Sequence, residues 1–328
     1  MKNIISHIKN NSIQPLYLLT GEEIYLIEHY LKELTDCVTG GEADDFNSMV
    51  VSREHTDELS IYSFVESYPF MCDKKVLVVR NTGILKKATE DEKRFWPKLL
   101  ENIPDYAVII FYEPEIDKRN AIYKAICKYG YVAEFTLQKG TALTNWVAKA
   151  LKSYGKQMDS NNIEYLIASC NPGMINIKIE LEKLVNYKKE NPVITRSDID
   201  ILVNKSIESK VFDMAEDIAR GNATAAQQKL DDMKKLNTKP AEILPAVFSK
   251  FSAYRKIKLL EHLPAAQIAA ATKSRDFFVK RDLPIVRGMS VVTLDNIIKL
   301  CQSADHKIKS GQSDGWLEIA LIISTCKK

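Results

Sequence analysis

Leu16-Tyr17-Leu18-Leu19-Thr20-Gly21-Glu22-Glu23 decides how the first third of the chain is read. With Pro15 ahead of it, Pro15–Thr20 is a short apolar run closed by a turn signal, the pattern of a buried strand. Glu22–Leu34 follows as a helix, with Leu26, Ile27, Tyr30, Leu31 and Leu34 at helical spacing. A strand, turn and helix at the start of an α/β domain is the place of a phosphate-binding loop. Such a loop needs backbone N–H groups curled around phosphate, a Lys to reach it and a Ser or Thr for Mg²⁺. The turn Thr20-Gly21-Glu22-Glu23 has a single Gly, no Lys and two carboxylates. Two negative charges repel a triphosphate, whereas the N-terminus of the next helix accommodates Glu22 and Glu23 through its dipole. The expectation is a nucleotide-type scaffold with no nucleotide and no cofactor.

Outward from this turn, residues 1–138 alternate between strand and helix patterns. Lys75–Arg80 and Tyr106–Tyr112 are apolar, β-branched strands, and Tyr131–Phe135 is a last short one. Helices are expected over Asp91–Asn102, kinked or split at Pro97, and over Asn120–Tyr129. Ile61–Ser67 has no decided type. Continuous apolar strands separated by helices indicate a parallel sheet covered on both faces.

The pattern changes near Thr136–Thr141, beyond which no strand is expected. Residues 139–205 read as a small helical module: Ala142–Tyr154, Asn161–Ser169, Met174–Tyr187 and Thr195–Val203. Asn171-Pro172-Gly173 breaks it, and Thr195 with Asp198 forms a weaker version of a capping box. Residues 206–328 read as a third, all-helical unit: Val211–Arg220, Thr224–Leu236, Ala241–Leu260, Ala265–Ala271, Phe277–Val286, Val291–Lys307 and Gly315–Thr325. The fold class is therefore α/β followed by all-α.

Composition agrees with this division. A chain of 328 residues with 45% hydrophobic residues holds two or three domains. With 46 Lys+Arg against 43 Asp+Glu, the charge excludes a dedicated polybasic nucleic-acid binder. The 12 glycines are about half the usual frequency of roughly 7% and favour helices. Cys37, Cys72, Cys127, Cys170, Cys301 and Cys326 are scattered singly, which excludes a zinc motif and reads as reduced thiols. The start is not a signal peptide, and no apolar stretch approaches the roughly 20 residues that span a bilayer. A soluble, cytoplasmic protein with no membrane partner is expected.

Catalytic patterns are missing. His7, His29, His55, His262 and His306 are isolated, and neither a nucleophile elbow nor an H-E-x-x-H motif occurs. Glu113-Pro114-Glu115-Ile116-Asp117 follows a strand, but without a phosphate cradle it is read as structural. The absence of chemistry favours a binding or mechanical role.

Several segments carry a resemblance. They are Leu16–Glu23 with Tyr25-Leu26-Ile27, Ser67–Lys75 with Val76–Asn81, Asp117-Lys118-Arg119, Glu180–Leu184 and Lys307–Gly311. In order and spacing the chain resembles the delta subunits of the bacterial DNA polymerase III clamp loader. The resemblance implies an AAA+-type domain with a degenerate phosphate loop, a lid-like helical module and a helical collar. It implies a subunit without catalysis of its own that serves the DNA-directed DNA polymerase holoenzyme. Its implied partners are the sliding clamp (beta subunit), whose ring it opens, the ATPase subunits (gamma/tau) and delta-prime in a hetero-pentamer, and primed DNA through the assembly. A divergent P-loop ATPase and another clamp-loader paralogue are the alternatives.

Tyr68, Pro69, Phe70 and Met71 precede the strand at Lys75. Pro69 stiffens the backbone and disfavours helix at Tyr68. From the residues alone, Phe70 and Met71 either cover an edge of the first core or project together toward a partner. The resemblance places the clamp-binding pair on them. Lys74 and Lys75 either steer toward an acidic clamp or form a solvated rim. Lys273–Arg287, with Lys273, Arg275, Lys280, Arg281 and Arg287, is either a face near DNA or a collar helix with solvated cations.

Overall fold

The computed structural model describes residues 2–41, 45–53 and 57–324. His55, Thr325 and Cys326 lie outside the described residues. Two compact units result: the chain to Leu143 together with Pro172–Lys178, and Thr144–Asn171 together with Ile179 onward.

The first unit is built on β1 (Leu16–Gly21), β2 (Ser48–Val51), β3 (Lys75–Arg80), β4 (Ala107–Tyr112) and β5 (Tyr131–Phe135). They form a five-stranded sheet in the order β2-β3-β4-β1-β5, with every pairing parallel. Alternation along the strands divides the core. Leu16, Leu18, Leu77, Val79, Ile109 and Phe111 enter one face; Tyr17, Leu19, Val76, Val78, Val108 and Ile110 enter the other. The first face is covered by α3 (Glu58–Glu66), α4 (Glu90–Glu101) and α5 (Ala121–Tyr129), and the second by α1 (Lys2–Lys9) and α2 (Ile24–Thr39). This is a parallel sheet covered by helices on both faces. β1 lies where the strand order reverses, the position at which such sheets ordinarily offer a ligand cleft.

Four details depart from the sequence reading. α1 and β2 carry no pattern strong enough to be read. The undecided Ile61–Ser67 lies largely in α3, which Asp57 caps by accepting the Ser60 N–H. α4 is one helix despite Pro97: it opens on a capping box between Thr89 and Glu92 and buries Trp96, Leu99 and Leu100. Burying three such side chains outweighs the proline's cost of about 3 kcal/mol.

α6 (Gly140–Ser153), α7 (Ser160–Ser169), α8 (Met174–Lys188) and α9 (Arg196–Leu202) follow. Thr195 and Asp198 form the capping box of α9 in full, and Lys188 Nζ adds a bond of 2.9 Å to Asp198. The remaining helices are α10 (Ile207–Ala219), α11 (Ala223–Lys235), α12 (Pro240–Leu259), α13 (Ala265–Thr272), α14 (Asp276–Arg287), α15 (Val291–Lys309) and α16 (Gly315–Ser324). α12 is their axis. It buries Ile243, Leu244, Val247, Phe251, Tyr254 and Ile257, and packs against α10, α14 and α15. Beyond β5 the described residues contain one isolated bridge, Gln157 to Val193. No described helix is long and apolar enough to cross a membrane.

Candidate functional site

The loop between α3 and β3 projects its apolar side chains. Met71 is 91% exposed, Tyr68 82% and Phe70 57%; Pro69 is half-buried. Phe70 and Met71 therefore do not seal the core of their own unit. The Tyr68 ring leans on Tyr106 at 4.8 Å between centroids, and Phe70 lies beside Phe46 at 5.4 Å. Phe46 is itself 69% exposed and extends the apolar tip.

This loop is held at its start and at its middle. At its start, Lys75 Nζ donates to the Ser67 carbonyl at 3.1 Å and to Ser67 Oγ at 2.7 Å, and lies 4.1 Å from the centre of the Phe64 ring. Lys75 is almost fully buried, and burial lowers its ammonium below the usual lysine range. It is thus a structural clasp and neither a steering charge nor part of a solvated rim, which corrects the sequence reading of this residue. Mid-loop, buried Asn47 accepts the Phe70 N–H at 2.7 Å and donates to the Phe70 carbonyl at 2.8 Å. Met71 adopts a left-handed backbone, φ +56°.

The expected phosphate position is closed from within. Gly21 has φ +118°, and a Cβ there would lie 2.4 Å from the Phe135 carbonyl oxygen, so β5 presses directly on the turn. The Glu23 N–H donates to that same carbonyl at 3.0 Å, and the Ile24 N–H to Glu22 O at 3.1 Å. Amides that would cradle phosphate are spent on the protein itself. Glu23 was expected to serve the α2 dipole, yet it makes no side-chain cap bond there. Its buried carboxylate instead accepts the Met174 N–H at 3.0 and 3.2 Å and the Gln138 N–H at 3.4 Å. It caps α8, a long-range role that no local pattern encodes.

Glu113, at the end of β4, is also consumed structurally. Its carboxylate accepts the N–H of Thr82 at 2.7 Å, that of Gly83 at 3.0 Å and the Thr82 hydroxyl. Burial pushes its carboxyl up against the lowering pull of those donors. Asp117 folds onto Arg119, which holds its carboxyl down at about 2. Among the described residues, no group of His, Cys, Asp or Glu is placed to hold a metal. His7 packs edge-on against Tyr17 and Tyr131, as a packing histidine does.

In the second unit the basic run at α14 is mostly paired. Lys280 meets Asp276, Arg275 lies 3.9 Å from Glu164, and Arg281 Nε bonds Asp282 at 2.9 Å. Asp282 also receives buried Lys250 at 2.7 Å. Val279, Ile285 and Val286 are buried beneath them.

Comparison with known proteins covers both units. Residues 17–136 match the family described as DNA polymerase III, delta subunit, and residues 208–326 match the DNA polymerase III delta subunit, C-terminal domain. A Bacillus subtilis protein described as DNA polymerase III subunit delta is 24% identical over 325 residues, spanning 96% of this chain and 94% of its own. An Aquifex aeolicus protein described as a probable DNA polymerase III subunit delta is 24% identical over 255 residues, 75% of this chain and 71% of its own. The solved Bacillus subtilis DNA clamp loader delta protein is 23% identical, with a TM-score of 0.49, covering 99% of this chain and 98% of that one.

Proposed function

The chain belongs to the DNA polymerase III delta-subunit family, and on that premise we propose that it binds the ring-shaped sliding clamp and opens one of its interfaces for loading onto primed DNA. The observation that carries this reading is the exposure of Phe70 and Met71 together, on a loop held at Ser67 and at Phe70. Burying two such side chains in a partner's pocket contributes about 1.5–3 kcal/mol each before ordering costs, enough to anchor a larger interface.

In this proposal the subunit has no catalysis of its own. The closed turn at Gly21 and the internal use of Glu23 and Glu113 support that. Residues 1–138 act as the clamp-gripping domain, 139–205 as the lid-like module and 206–328 as the collar. The collar joins the gamma/tau ATPases and delta-prime, whose ATP-driven rearrangement exposes the tip to the clamp in the cytoplasm.

A clamp carrying a fluorophore pair across one interface tests this. Adding the purified chain without nucleotide should separate the pair and relieve their quenching; an unchanged signal at saturating chain contradicts the proposal. A fluorescent ATP analogue with Mg²⁺ should not bind the chain. Micromolar binding would favour the divergent-ATPase reading instead.

A further inference from the structure

We propose that Asn47 is a positioning residue for the clamp-docking tip; the inference rests on the docking role given above to Phe70 and Met71. Asn47 is 3% exposed and lies one residue ahead of β2. Its carboxamide meets the Phe70 main chain at two points, accepting the N–H at 2.7 Å and donating to the carbonyl at 2.8 Å. This pairing fixes which end of the amide is oxygen, since an N–H needs an acceptor and a carbonyl needs a donor. Asn47's own carbonyl accepts the Val76 N–H at 2.8 Å, which ties the bracket to β3.

The residue type follows from the chemistry. A short side chain must offer an acceptor and a donor side by side, as a second strand's backbone would. Asp lacks the donor and Leu lacks both. Directly after the bracketed residue comes Met71 at φ +56°, a conformation that a long side chain keeps only where its surroundings impose it. Released from Asn47, the loop relaxes to the commoner backbone wells, and the tip no longer presents Phe70 and Met71 as one surface. The apparent dissociation constant then rises by the inverse of the fraction still in the competent form.

The test is a double-mutant cycle read by titration against the sliding clamp. Asn47→Ala should weaken binding about tenfold, as expected if about a tenth of the chains keep the competent loop. Asn47→Asp, which still accepts the Phe70 N–H, should lose less. On a Met71→Ala background the Asn47→Ala loss should shrink to under about threefold, because the bracket then has less to present. A purely structural residue would give equal losses on both backgrounds, and that result, or no loss at all, overturns the inference. If Asn47→Ala does not fold, Asn47→Asp carries the same cycle. If neither Phe70→Ala nor Met71→Ala alters affinity, the docking role fails and takes the inference with it; if they do and Asn47 does not, only the inference fails.

Discussion

The buried carboxylate of Glu23, on the turn after β1, accepts the backbone N–H of Met174, the first residue of α8, at 3.0 and 3.2 Å. A side chain from the expected phosphate turn thus caps a helix that starts 151 residues further on. Removing it leaves the buried Met174 N–H and the half-buried Gln138 N–H without their acceptor, a cost of about 1–3 kcal/mol. Glu23→Ala should lower the urea midpoint accordingly, Glu23→Gln should lower it less, and neither should acquire ATP binding. An unchanged midpoint for Glu23→Ala would show that the contact contributes nothing.

Met71 predicts a conflict between stability and binding. A long side chain in the left-handed region costs about 1–2 kcal/mol, a cost that Asn largely escapes. Met71→Asn should therefore raise the unfolding midpoint, by about 0.5–1 kcal/mol in stability, while weakening clamp binding. A variant that loses stability, or gains it with affinity intact, would contradict the account of this residue.

Asp198 predicts an acid limb. Burial works to raise its carboxyl, but the donors of Thr195 and Lys188 outweigh it, and the net position is below the usual carboxylate range. A group depressed in the folded state contributes stability that is present above its unfolded pKa and lost as pH falls through the folded one. Urea midpoints measured from pH 7 downward should fall below about pH 4, and Asp198→Asn should flatten that part of the fall. It should also cost about 0.5–2 kcal/mol at pH 7, the usual worth of a cap. Identical acid limbs in the two proteins would refute the assignment.

Much of this architecture can be read from sequence because parallel strands are buried on both faces. β1, β3, β4 and β5 are near-continuous apolar runs. β2 escapes notice because Ser48–Val51 is a short edge strand whose Val50 is 63% exposed. The capping box at Thr195 is local and therefore legible. Glu23, Asn47, Lys75 and Glu113 are not, since each acts on a partner distant in sequence, and their residue types alone suggest solvated or dipole-facing roles. The tip was visible as composition, an aromatic and a Met after Pro69. Its exposure and the bonds between Asn47 and Phe70 are tertiary features, which no periodicity records.

The central claim is that an exposed apolar tip grips the clamp. Its most direct test is an affinity titration of the sliding clamp with the unmodified chain and with Phe70→Ala/Met71→Ala, both verified as folded by their unfolding midpoints. The account predicts binding by the unmodified chain and a loss of at least about thirtyfold, near 2 kcal/mol, in the double variant. Equal affinities for two equally folded proteins would contradict it.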